Sequence, residues 1–113
     1  MSEQDTVNAI LDYLRAHGAY AVRVNSGGKP VENENGSRHF IRMAPAGTPD
    51  IIACWPGGLF MGIECKQKGN KPTPIQAATL DQIRETGGVA VVAYGIEDVE
   101  QALKERIEYA RHR

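Results

Sequence analysis

Cysteine, histidine and long apolar runs are all scarce in this chain, and each scarcity removes a class of protein. Cys54 and Cys65 are the only cysteines, and they form no metal-ligand pattern. His17, His39 and His112 share no spacing that suggests zinc. No apolar stretch approaches the roughly 20 residues of a membrane span. The opening Met1-Ser2-Glu3-Gln4-Asp5 is acidic and polar, unlike a secretory signal. Strong charge of one sign is missing too: the net charge is -1, which does not advertise nucleic-acid binding. What remains is a chain of 113 residues, 42% hydrophobic, enough for one domain (1-113) with one modest core. Both cysteines fall in expected strands and read as buried thiols of a reducing compartment.

Hydrophobic spacing supplies the elements. Val7, Ile10, Leu11 and Leu14 recur at helical intervals, predicting a helix over 4-17 that Gly18 ends. Tyr20 to Asn25 alternates as a strand. Ser26 to Ser37 holds three glycines, a proline and three charged residues, and reads as a mobile loop joining two strands. Arg38 to Met43 is the second strand and 49-54 the third. Pro56-Gly57-Gly58 then turns the chain into a strand over 59-66. A helix starts at Thr73 or Pro74 and stops at Gly87-Gly88. Val89 to Tyr94 is continuously apolar and reads as a central strand, and Ile96 to Arg111 as the last helix. The hairpin makes 49-54 and 59-66 antiparallel; the helical crossover makes 89-94 parallel to 59-66. The expected fold class is α/β, a mixed sheet flanked by helices in the order α-β-β-β-β-α-β-α.

Two short segments carry the chemistry. Gly47-Thr48-Pro49-Asp50 leads into a strand, and fourteen residues after Asp50 comes Glu64, in Ile63-Glu64-Cys65-Lys66. Alternation along a strand puts Glu64 and Lys66 on one face and Cys65 on the other. Two carboxylates can bind a hard cation such as Mg2+ through oxygen, and a lysine can stand beside them without competing for it. That combination suits hydrolysis of phosphodiesters. A lone Pro-Asp is ordinarily a turn cap, and a lone Glu-x-Lys is ordinarily a solvated ion pair. Here Leu59 to Ile63 is apolar, so the charges sit on an interior strand, where unpaired charge is costly. Local basicity fits as well: Arg23, Lys29, Arg38 and Arg42 outnumber Glu32 and Glu34, and Lys66, Lys68 and Lys71 form a second cluster. Pairing two chains would repeat both patches.

In this order and spacing, Gly47-Thr48-Pro49-Asp50, Glu64-Cys65-Lys66 and Gln76 resemble the PD-(D/E)XK nuclease superfamily, and within it the VRR-NUC branch, the virus-type replication-repair nucleases. Arg23-Val24-Asn25-Ser26-Gly27 resembles the branch's strand after its first helix, and Glu3 matches the acidic residue of that helix. The resemblance runs from Glu3 to about Tyr94 and implies a restriction-endonuclease-like fold. It implies Asp50, Glu64 and the backbone carbonyl of Cys65 as ligands of Mg2+ or Mn2+, with Glu3 completing the acidic cluster. Lys66 would orient or help deprotonate the attacking water and stabilise developing charge, and Gln76 would support the site. Arg23, Lys68 and Lys71 are candidate DNA contacts.

Such a short domain is similar to the stand-alone viral and bacterial members. This implies a homodimer acting on branched DNA, four-way junctions first, in the cytoplasm of a bacterium or a virus-infected host cell. No membrane and no nucleotide cofactor are implied. Two alternatives stay open: a catalytically silent DNA-binding or assembly module, and a sequence-specific restriction-type nuclease. Trp55 reads as a hairpin or interface anchor.

Overall fold

Ser2 opens the first helix by a reciprocal cap. Its hydroxyl accepts the Asp5 N–H, and the Asp5 carboxylate accepts the Ser2 N–H, both at 3.1 Å. The computed structural model describes residues 2-25, 28-42 and 44-112. The helix, α1 (Glu3–Ala16), buries Val7, Ile10, Leu11 and Leu14 on one side. The chain continues as β1 (Tyr20–Arg23), β2 (Gly28–Glu32), β3 (Arg38–Arg42), β4 (Ile51–Trp55), β5 (Leu59–Cys65), α2 (Pro74–Glu85), β6 (Val89–Ala93) and α3 (Ile96–Arg111).

Four strands make the main sheet, in the order β1-β4-β5-β6. β1 and β4 are antiparallel, as are β4 and β5, while β5 and β6 run parallel across the α2 crossover. This is the expected mixed sheet. α1 and α3 cover one face, where Met61, Ile63 and Cys65 join Ile10, Leu14, Ile51, Val99 and Leu103 in one core. Each fully buried aliphatic side chain there contributes about 1.5–3 kcal/mol. α2 covers the other face, burying Leu80 and resting Ile83 against Gly62. Among the described residues no helix is long and apolar enough to cross a membrane.

Three expectations are corrected. β6 is an edge strand rather than a central one. Its apolar run is explained by α2 and α3, which pack against it from both faces. The 26-37 segment is not simply a loop: β2 lies within it and pairs with β3 as a separate two-stranded sheet. Glycine and proline hide the strand, but the turn is well tied, with Asn33 N–H donating to the Ser37 carbonyl at 2.7 Å and Asn33 Nδ2 to Ser37 Oγ at 2.7 Å. Ser26, Gly27 and Met43, the ends of the expected loop and strand, lie outside the described residues. Thirdly, Cys54 is exposed. It pairs with Tyr20 on one side and Phe60 on the other, and this row, with Tyr20 and Phe60 also exposed, runs beyond the cover of α2.

Candidate active site

Where β4 begins and β5 ends, the sheet brings Asp50, Glu64 and Lys66 together. Ile51 pairs with Ile63, so Asp50 and Glu64 stand one step further along the same ladder. Two backbone bonds extend the sheet past its formal ends: Val24 N–H donates to the Asp50 carbonyl at 2.7 Å, and Lys66 N–H to the Ala93 carbonyl at 3.0 Å. Alternation then puts Asp50, Glu64 and Lys66 on the α2 face, with Gly62.

The Gly47-Thr48-Pro49 segment holds Asp50 in place through its packing on α2. Gly47 is buried, with φ +88°, a conformation that disfavours side chains. A Cβ there would lie 2.9 Å from both the Ile75 carbonyl and Thr79 Oγ1. Pro49 is fully buried. Asp50 is then oriented from the sheet: its Oδ2 accepts the Cys65 N–H at 2.8 Å.

Glu64 is only 3% exposed, and among the described residues it and Thr6 are the buried polar ones. Lys66 Nζ lies 3.7 Å from Glu64 Oε1, a charge contact longer than a hydrogen bond. Glu64 Oε2 is buried and, with both carboxylates ionised, finds no hydrogen-bond donor among the described residues. Burial raises the Glu64 pKa to about 7; the negative charge of Asp50 adds to the rise, Lys66 opposes it, a side-chain hydrogen bond to Asp50 that uses the Glu64 proton adds further, and Glu3 contributes least. An orphaned buried carboxylate oxygen is costly, and a cation is one group that satisfies it.

The remaining candidates divide. Glu3, in the first turn of α1, acts on Glu64 and Cys65 through its charge. Among the described residues no three His, Cys, Asp or Glu side chains form a metal-holding group. The acidic set is therefore Asp50 and Glu64, with Glu3 acting from further off. Gln76 is half-buried, and its Oε1 accepts the Thr73 N–H at 2.9 Å, so its amide carbonyl serves the α2 cap. Arg23 ends β1 opposite Ile51; it is exposed, and its charge reaches Cys65. Lys68 and Lys71 are exposed on the loop after β5. The Cys65 thiol faces the core, and burial, with the charges of Asp50, Glu64 and Glu3, pushes its pKa up to about 12, so it is an inert thiol.

Two features had no signal in the sequence. One is the Cys65 N–H on Asp50. The other is Tyr94, whose hydroxyl donates to the Asn70 carbonyl at 2.7 Å across 24 residues. At the opposite end of the sheet are open grooves of about 440 and 510 Å3, the first beside Gly57, Gly87 and Arg106, the second beside Trp55, Leu103 and Ile107. No candidate site residue lines either one. Trp55 stacks on His17 at 5.8 Å, anchoring the hairpin to the end of α1.

No family model matches the chain, and no curated protein matches it. A solved structure described as a VRR_NUC domain matches with a TM-score of 0.62 at 19% identity, over 90% of this chain and 94% of that one. The chain therefore has a VRR-NUC-like, restriction-endonuclease-like fold.

Proposed function

We propose that this chain is a metal-dependent endodeoxyribonuclease whose centre is Asp50, Glu64 and Lys66. One observation carries the reading: Glu64 is held almost fully buried beside a second carboxylate, and once ionised it leaves one oxygen with no donor. A structural carboxylate would be expected to have its oxygens paired. The donor set suits a hard divalent cation, Mg2+ or Mn2+. Asp50 and Glu64 would hold it, with the Cys65 carbonyl as a further oxygen and Glu3 adding negative charge. When bound, such an ion withdraws charge from a phosphoryl oxygen.

The side chains account for the rest. Asp50 is aimed by the Cys65 N–H and needs little reorganisation. Lys66 stands beside the carboxylates, where it orients the attacking water and offsets charge growing on the phosphate. Water adds to phosphorus, the bond from phosphorus to the 3′ oxygen breaks, and that oxygen leaves protonated. The products carry 5′-phosphate and 3′-hydroxyl ends. Gln76 supports the site from the start of α2, and Arg23, Lys68 and Lys71 contact the DNA backbone.

The substrate we propose is branched duplex, with the four-way junction first, cut by a homodimer. A two-fold pair of sites suits a two-fold substrate. The likeness of fold to a VRR_NUC domain supports nuclease chemistry over other uses of this architecture. Incubating labelled four-way junction and matched linear duplex with Mg2+ or Mn2+ tests the reading. Paired, symmetric cuts in the junction alone are expected. Cutting of linear duplex at fixed sequences would replace it with a restriction-type enzyme, and junction binding without any cutting would replace it with a silent binding module.

A further inference from the structure

The segment that leaves the site is fastened at both ends by consecutive residues. Ala93, the last residue of β6, accepts the Lys66 N–H at 3.0 Å. Tyr94, the next residue, donates its hydroxyl to the Asn70 carbonyl at 2.7 Å. Between these ties, Asn70 N–H donates to the Gln67 carbonyl at 3.0 Å and closes a four-residue turn. Gly69 takes φ +94° at the third position, a value that glycine adopts freely.

Tyr94 is itself held. Asp98 Oδ2 accepts the N–H of Tyr94 at 2.7 Å and of Gly95 at 3.2 Å, locking the β6–α3 junction. The turn thus rides on the sheet and on α3. Lys68 occupies its second position, exposed and in no ion pair among the described residues. It lies two residues from Lys66, at most ~7 Å along the chain. A loop lysine ordinarily loses freedom when it binds an anion; here the backbone beneath it is already ordered.

We propose that the Gln67–Asn70 turn is a binding site for a DNA phosphate neighbouring the one cut at Lys66, with Lys68 as its ligand and Tyr94 as the positioning residue. This rests on the nuclease reading above. The turn sets where the strand lies relative to the carboxylates, so it governs substrate affinity more than the chemical step.

The test is binding of labelled junction DNA to the full chain over a range of salt, without divalent cation so that nothing is cut. Lys68→Ala is expected to lower the slope of log affinity against log salt by about 1, the loss of one phosphate contact. Tyr94→Phe is expected to weaken binding about 3–10-fold at unchanged slope, because Lys68 survives on a freed turn. With Mg2+ present, Tyr94→Phe raises KM and leaves kcat nearly unchanged, a split that loss of folded protein does not produce. Wild-type affinity and slope in Lys68→Ala, or wild-type affinity in Tyr94→Phe, would overturn the proposal while leaving the nuclease reading intact. Wild-type protein that binds no DNA at any salt would overturn this proposal, and an uncut junction with Mg2+ would overturn the nuclease reading as well.

Discussion

The Cys65 N–H donates to Asp50 Oδ2 at 2.8 Å, so the strand that carries Glu64 and Lys66 also orients the aspartate opposite them. One carboxylate is positioned by the backbone, while the other, Glu64, is held by burial and, once ionised, leaves an oxygen with no donor.

Burial and the charge of Asp50 raise the Glu64 pKa from 4.5 to about 7. The folded, metal-free protein therefore binds this proton more tightly than the unfolded chain. Its contribution to stability is full below about pH 4.5, falls as the pH rises toward about 7, and levels off above that. Thermal unfolding of metal-free protein across this range should show the decline, and Glu64→Gln should remove this component of it.

Divalent cations should reverse the trend. A metal ligand must be ionised, so affinity for Mn2+ should rise with pH through the Glu64 transition. Mn2+ should raise the Tm of the wild type more at pH 8 than at pH 6, and should leave Glu64→Gln nearly unmoved. Equal shifts in the two proteins at pH 8 would place the ion elsewhere.

Gly47→Ala should destabilise the fold by about 1–3 kcal/mol, since alanine would adopt a strained positive φ and press on the Ile75 carbonyl. Denaturant titration measures this. Because the Gly47-Thr48-Pro49 segment seats Asp50, cleavage should fall further than the fraction of unfolded protein accounts for.

Much of this was legible in the sequence, for identifiable reasons. Ile96 to Arg111 was readable as α3 to the residue because its apolar spacing is unbroken. That Asp50, Glu64 and Lys66 lie together was readable because strand alternation and a hairpin bring them to one end of the sheet. The edge position of β6 was not: an apolar strand reads the same whether neighbouring strands or two helices cover it. β2 was hidden by Gly28 and Pro30, whose local preferences oppose a strand that pairing with β3 nonetheless forms. Gln76 illustrates a different limit. Its place in the chain matched a motif, but its carbonyl is also the reciprocal cap of α2.

The β2–β3 hairpin should be the least protected part of the molecule. It is a two-stranded sheet separate from the four-stranded one, and the protein extends 61 Å along its longest axis against 29 Å across. Isolated hairpins are marginal in water. Hydrogen exchange of the free protein should be fastest at amides 28-42 among the strands, and slowest in β4 and β5.

The most direct test of the site is cleavage of labelled four-way junction with Mn2+ by wild type, Asp50→Ala and Lys66→Ala, with folding and junction binding checked for each. The account predicts cutting by wild type alone, at least ~100-fold faster than either variant, with folding and binding largely retained. Cutting by both variants at the wild-type rate would contradict it.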